Sequence, residues 1–264
     1  LSNSDLQLLD SCLTSYHSAK HDTARISALN GICAFMMHSS WVDYQLIQDD
    51  IITQAIEKFD NTQIRNKLTL SKAGALNNLG YAFRQKGKIE LALQYYLKSQ
   101  KIYLEFDQKK NLATSYNNAG FIYDELGDNE NGLINYKKAL EIRLMLKDTA
   151  DIAESYINIG FIHDDNGDID SALYFYKQAD LYCTIAGNLK SKASALNNIG
   201  SIYEINGLHD SSLVFFYESL QIGEQIGNET TQCVALNNLA NLYLKLNNLA
   251  KAREYGKRAL EIAN

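Results

Sequence analysis

The chain has 264 residues, 46 % of them hydrophobic, which is enough for a continuous core and argues against wholesale disorder. Its formal net charge is −6, from 25 Lys and Arg against 31 Asp and Glu, which disfavours a general nucleic-acid binder because that role needs a basic face. It contains no proline, which suits long uninterrupted helices, and no apolar run reaches the ~18 residues of a membrane span.

The chain opens at Leu1 rather than at methionine, so removal of a leader or upstream segment is expected. Asp22-Thr23-Ala24-Arg25, running into Ala28-Leu29-Asn30-Gly31-Ile32, reads as a helix-opening cap followed by a helix core. The next helix is expected from about Tyr44 to Phe59, with the single tryptophan, Trp41, near its start.

From residue 72 a repeat takes over. Gly80, Gly120, Gly160 and Gly200 stand 40 apart (120 − 80 = 40), with Ala240 in fifth place. Gly87, Gly127, Gly167, Gly207 and Asn247 follow seven residues behind (87 − 80 = 7). Such a fixed period signals a solenoid, whose units bury their apolar faces only against their neighbours. Leu76, Leu79 and Phe83 fall at i, i+3 and i+7 and form one apolar stripe of a first helix. Gly80 lies in that stripe, where only a small residue lets a neighbouring helix approach. A second helix repeats a small residue followed by leucine: Ala92-Leu93, Gly132-Leu133, Ala172-Leu173 and Ser212-Leu213. Gly87 and its equivalents mark the end of each first helix, where a left-handed residue is wanted. Asp128 and Asp168 follow as N-caps of second helices.

Leu76-x-x-Leu79-Gly80-x-x-Phe83 with Ala92-x-x-x-Tyr96 resembles the tetratricopeptide pattern. It recurs at Tyr116/Ala119/Gly120/Tyr123, at Tyr156/Ile159/Gly160/His163 and at Leu196/Ile199/Gly200/Tyr203, with Tyr136, Tyr176 and Phe216 as the second-helix aromatics. A fifth copy, Leu236/Leu239/Ala240/Tyr243 with Ala252, carries Gly256 where the aromatic belongs. The resemblance implies an all-α, right-handed superhelical solenoid of antiparallel helix pairs, a tetratricopeptide array of about six repeats. Residues 1–71 would be capping helices and a degenerate first repeat. Residues 72–264 would be five units, at 72–111, 112–151, 152–191, 192–231 and 232–264.

The family period is about 34 residues. The surplus here is expected in longer second helices and in a longer inter-repeat turn around Asp107, Asp148, Gly187 and Gly227. A forty-residue spacing is similar to arrays in bacterial signalling proteins and in kinesin light chain. Leu29 precedes Leu76 by 47 residues (76 − 29 = 47), so the first unit should be seven residues longer than the others. The D-T-A-R-I-x-A-L-N opening is similar to the entry of arrays that precede histidine-kinase or LuxR-type output modules. Ala259-Leu260-Glu261-Ile262 reaches the close of a second helix, and an output segment is expected to follow.

Phe161-Ile162-His163-Asp164-Asp165-Asn166-Gly167-Asp168-Ile169-Asp170 invites a calcium-loop reading. Starting at Asp164, however, Ile169 stands where the obligatory glycine belongs and Phe175 where the bidentate glutamate should be. The stretch aligns with the turn at Gly127, and His163 takes an aromatic core position. Cys12, Cys33, Cys183 and Cys233 are scattered with no C-x-x-C pair, so buried thiols rather than a zinc site are expected. The short basic clusters at Arg84–Lys88, Lys109–Lys110 and Lys251–Arg258 read as solvated helix faces. No catalytic motif stands outside the repeat pattern, so neither enzyme activity, a cofactor nor a metal is expected.

In arrays of this kind the first helices line the concave side. The residue three before each motif glycine is expected there: Asn77, Asn117, Ile157, Asn197 and Asn237. Tyr81/Arg84, Phe121/Asp124, Phe161/Asp164, Ser201/Glu204 and Asn241/Leu244 share that face. In kinesin light chain and related arrays, asparagines at this place hydrogen-bond the backbone of an extended peptide. The resemblance implies the same use for Asn77, Asn117, Asn197 and Asn237, with Ile157 interrupting the ladder. An amide suits the task because it both donates and accepts. The unbroken neighbouring row, Asn78, Asn118, Asn158, Asn198 and Asn238, is expected to point sideways and satisfy loop backbone groups.

Each amide contact nets ~0.5–1.5 kcal/mol, whereas micromolar affinity needs ~8 kcal/mol. The remainder would come from the Tyr81/Phe121/Phe161 patch, or from a basic ligand residue meeting the acidic band of Asp124, Asp164 and Glu204. The expected function is therefore non-enzymatic binding of a protein or peptide segment in a sensor or scaffold region. Self-assembly through the terminal repeats is the alternative. The sensor resemblance suggests the periplasmic side of a bacterial membrane, with the cytoplasm as the alternative.

Overall fold

The computed structural model describes residues 3–20, 24–29, 41–58 and 60–263. Asp22, Thr23, Asn30, Gly31, Ile32, Cys33 and Phe59, which carry parts of the expected N-terminal readings, lie outside the described residues. Every described element is helical, and the helices follow one another as antiparallel pairs. They are α1 (Asn3–Ser18), a short stretch at 24–29, α2 (Trp41–Lys58), α3 (Thr62–Gln85), α4 (Ile89–Glu105), α5 (Lys109–Glu125) and α6 (Asn129–Leu146). The second half of the chain adds α7 (Thr149–Asp165), α8 (Ile169–Ala186), α9 (Leu189–Ile205), α10 (His209–Gln225), α11 (Glu229–Lys245) and α12 (Leu249–Ala263).

One turn type joins these helices from α3 to α12. Residues 87, 107, 127, 147, 167, 187, 207, 227 and 247 all have positive φ, one every 20 positions (107 − 87 = 20). Around each, two backbone bonds close the preceding helix: Gly87 N donates to Arg84 O and Lys88 N to Phe83 O, and the pair recurs through Asn247 N to Leu244 O and Asn248 N to Tyr243 O. This is the Schellman arrangement. The residue that completes it also caps the next helix. Asp128, Asp168, Asn188, Asn228 and Asn248 each accept from the backbone N–H three residues on.

The inter-repeat turns are therefore as short as the turns within a repeat, contrary to the expected long connection. The left-handed residue of the second such turn is Lys147, with φ 55°, and Asp148 follows it at the N-cap. The surplus over the family period lies in both helices. α5, α7, α9 and α11 each have 17 residues, and their partners α6, α8 and α10 have 17 or 18.

The chain divides into two compact units, Leu1–Asn135 and Tyr136–Asn264. In the first, α2 pairs with the 24–29 stretch and with α3. Ile26, Ile52, Ala55, Leu68 and Ala75 form the core there. α3 has 24 residues against 17 in α5, so the extra seven (24 − 17 = 7) extend a first helix. Seven residues are two turns within about 20°, which leaves the apolar face in place. Leu68 and the half-buried Ile64 sit on that extension and reach the N-terminal core. A second core joins Val42, Leu79, Phe83, Tyr96 and Ile122. In the second unit, Tyr176, Ile199 and Ile202 form one cluster, and Phe216, Leu236, Leu239 and Tyr243 another.

In three repeats the aromatic of the second helix packs directly against the motif glycine of the first. A β-carbon built on Gly80 would fall 2.7 Å from the Tyr96 ring, on Gly160 2.8 Å from Tyr176, and on Gly200 2.6 Å from Phe216. The fifth repeat inverts the pair: Ala240 replaces the glycine, and Gly256 replaces the ring and meets nothing within 4 Å. Tyr255 fills in by stacking on Tyr243, at 5.7 Å, and its hydroxyl lies 2.9 Å from that of Tyr217.

Gly160→Ala should lower stability by about 1–3 kcal/mol through overpacking, because the Tyr176 ring has no free side to move into. Gly256→Ala should instead raise it by up to about 1 kcal/mol, the helix-propensity gain at an open site. Urea denaturation of the two variants checks both signs.

Candidate functional site

The first helices carry all ten expected site residues. Neighbouring first helices meet through side chains 41 residues apart, one repeat plus one position. In the first unit, Asn118 Nδ2 donates to Asn77 Oδ1 at 3.3 Å. Arg84 reaches Glu125 through two bonds of 3.1 Å, and its guanidinium lies 3.8 Å over the centre of the Phe121 ring. In the second unit, Asn238 Nδ2 donates to Asn197 Oδ1 at 3.3 Å, and Lys245 Nζ lies 2.6 Å from Glu204 Oε1.

These contacts sort the expected residues. Asn117 and Asn197 are buried, 8 % and 5 % exposed, so neither presents an open amide. Asn197 also donates to Ser219 Oγ at 2.6 Å, which places both ends of its side chain in internal bonds. Asn77 is half-buried with its carbonyl occupied by Asn118. Tyr81 and Asp124 are half-buried. Phe121 has one face covered by Arg84, and the Glu204 side chain is only 12 % exposed under Lys245. Phe161, 49 % exposed, and Asn237 remain open to solvent. Beside Asn197 a cavity of about 200 Å3 opens, lined by Ser194, Asn198, Thr230 and Thr231 among others.

Two expectations change. In the second asparagine row, Asn118 and Asn238 reach the adjoining repeat, where each bonds an asparagine side chain and not loop backbone. The basic clusters are not plain solvated faces either. Besides Arg84, Lys251 donates to the Tyr243 hydroxyl at 3.1 Å, and Arg258 pairs with Glu224 at 2.8 Å.

Asp164 stands apart from the other acids of this face. By the 41-residue register its partner position is residue 205, an isoleucine 68 % exposed. Among the described residues no Lys or Arg lies within ion-pair distance of it. Burial pushes its carboxyl above the usual value of 3.8, and the neighbouring Asp165 adds to the rise. Side chains of the surrounding turn bond one another. His163 Nδ1 lies 3.0 Å from Asp168 Oδ2, its ring stacks on Phe175 at 5.2 Å, and Asp168 caps α8. No metal-ligand cluster occurs among the described residues. None of their helices is long and apolar enough to cross a membrane.

Stacked antiparallel helix pairs at a fixed period, with polar first-helix faces, define a helical-repeat array. The tetratricopeptide repeat model matches residues 71–145, 111–179 and 191–264, and the chain belongs to that family. No curated protein matches the sequence significantly. Among solved structures, it is similar to the Signal Transduction ATPase with Numerous Domains protein with a tetratricopeptide repeat sensor from Pyrococcus horikoshii, at TM-score 0.76 and 14 % identity over 98 % of this chain and 38 % of that one. The apo form of the quorum sensor NprR from B. thuringiensis matches at TM-score 0.62 and 19 % identity, covering 98 % of this chain and 76 % of that one. A Rap protein complexed with Competence and Sporulation Factor matches at TM-score 0.61 and 14 % identity, covering 98 % and 79 %. At these identities the likeness is one of fold.

Because the folded-state pKa of Asp164 is raised, its ionisation costs the native state. Stability should fall as pH rises from the ordinary 3.8 through the higher folded value. Asp164→Asn should remove that part of the fall and leave the protein more stable at neutral pH. Urea midpoints across that window, for both proteins, test the sign.

Proposed function

We propose that the chain is a non-enzymatic binding module for a protein or peptide segment, serving as the sensor or scaffold region of a signalling protein. The single observation that carries this reading is Asp164, a partly desolvated carboxylate with no cationic partner at its register position, three residues from the exposed ring of Phe161. In the second unit Glu204 already has Lys245, and in the first unit Glu125 already has Arg84. Asp164 lacks such a lysine or arginine, and a ligand's basic side chain would supply it. A charge-assisted bond in a partly desolvated place is worth more than one in open water. Phe161 would take an apolar neighbour of that basic residue.

The internal pairing of Asn197 and Asn77 shifts the weight of recognition. A backbone-binding amide ladder has fewer free members than the row of asparagines suggests. Side-chain anchors at Phe161 and Asp164, together with the exposed Asn237, therefore dominate the reading. The fold likeness to a quorum sensor and to a Rap protein complexed with Competence and Sporulation Factor is consistent with a ligand-responsive role.

A library of short peptides screened against the purified array should return sequences with Arg or Lys beside an aromatic or aliphatic residue. Asp164→Asn and Phe161→Ala should each weaken the hits by about tenfold or more. Binding of Arg-bearing hits should also weaken as pH falls through the raised Asp164 value, and that dependence should vanish in Asp164→Asn. Hits indifferent to both substitutions would refute the reading.

Self-assembly is the second reading. Leu249 and Leu260 on α12 are 64 % and 63 % exposed, an apolar surface that a second copy could cover. Light scattering over a dilution series should then show a concentration-dependent mass, and a strict monomer would exclude it.

A further inference from the structure

Away from the first-helix face, the first unit contains a cleft of about 460 Å3 between α2, α3 and α4. That size lies within the range of small-molecule sites. Leu76 and Tyr95 provide apolar wall, and Asp49, Lys72, Lys98 and Lys101 bring charge to it.

Part of this charge has a structural duty, shown by a twin elsewhere in the chain. Lys72 Nζ donates to Thr53 Oγ1 at 2.7 Å and lies 3.9 Å from Asp49 Oδ1. One hundred and twenty residues later (192 − 72 = 120), Lys192 Nζ donates to Thr184 Oγ1 at 3.2 Å and lies 3.4 Å from Asp180 Oδ1. In both units a first-helix lysine clasps an Asp-x-x-x-Thr face on the preceding second helix. In the second unit a further carboxylate closes the clasp: Glu218 Oε1 lies 3.7 Å from Lys192. The residue at that position in the first unit (218 − 120 = 98) is Lys98, and Lys101 stands where the later repeat has Gln221.

The clasp of the first unit is thus already neutral, and two lysines are added over it. Lys98 and Lys101 are three apart on one helix, where like charges repel. Neither lies within ion-pair distance of a carboxylate among the described residues. Lys98 Nζ stands 5.3 Å over the Tyr95 ring. Glu105, also on the cleft, leaves one net positive charge among the five ionised lining groups. Burial raises the carboxyl of Asp49, whereas Lys98 and Lys101 are exposed, so their ammonium groups are open to an incoming anion.

We propose that this cleft binds a small organic anion, a carboxylate or phosphate on an apolar body. Lys98 and Lys101 receive the anionic group, and Leu76 and the Tyr95 ring receive the body. The site is independent of the peptide-binding reading, which concerns other residues.

The test is an NMR titration of the full chain with phenyl phosphate, phenylacetate and inorganic phosphate. At least one aromatic anion should shift α2–α4 amides saturably, and the stronger of the two identifies the headgroup. Inorganic phosphate should bind at least about tenfold more weakly, because it has no apolar body. Lys98→Glu, which installs the arrangement of the second unit at an exposed position, should weaken the aromatic anion at least about tenfold. Lys137→Glu, at an exposed lysine outside the cleft, should leave it unchanged. The absence of saturable shifts with either aromatic anion would overturn the proposal. So would equal binding of inorganic phosphate, or equal losses in the two variants.

Discussion

A single left-handed residue at every twentieth position is the constraint from which the rest of this architecture follows. Each one ends a helix with two backbone bonds and hands the chain to the next helix within three residues. Because all these turns are alike, helix lengths stay nearly constant and equivalent positions meet at the interfaces within each unit. Six of the nine positions from 87 to 247 are glycine, for which φ near 70° is free of β-carbon strain. Asp107 and Asn247 are among the residues that tolerate this region, while Lys147 does so at a cost of about 1 kcal/mol or more.

Given uniform turns, ring-on-glycine packing sets how closely the two helices of a repeat approach. Tyr96, Tyr176 and Phe216 lie where a β-carbon would otherwise be. The last repeat shows that this is a paired requirement. Once Gly256 removes the ring, Ala240 is tolerated opposite, and three tyrosine hydroxyls tie the neighbourhood together instead. The same register that stacks the apolar faces brings polar side chains 41 residues apart into contact, twice as an amide pair and twice as an ion pair of reversed polarity. Arg84–Glu125 and Glu204–Lys245 occupy equivalent positions with the charges exchanged, so either polarity serves where an ion pair forms there.

Function is sought where one copy departs from that pattern. Asp164 departs because its register partner is Ile205. The cleft beside Lys72 departs because Lys98 stands where a later copy has Glu218. In a solenoid each unit supplies its neighbours' contacts, so a residue left over after those contacts are counted is available to something outside the chain.

The period, the all-helical class, the small-residue positions and the caps at Asp128 and Asp168 could be read directly from the amino acids. They depend on local φ preferences and on spacing along one helix. The seven-residue excess of the first unit was equally legible, as the interval from Leu29 to Leu76, although its form as a longer α3 was not. The fate of the asparagines was not readable, because burial and pairing between residues 41 apart depend on how two helices cross. Asn77, Asn197 and Asn237 look equivalent in sequence, yet one shares a half-buried amide pair, one is buried with both ends bonded, and one is exposed. The basic character of Arg84 likewise hid its two partners, Glu125 and Phe121. Composition and periodicity determine which faces exist. Only the packed structure decides which polar groups on them are already satisfied, because that depends on distances between atoms far apart in the chain.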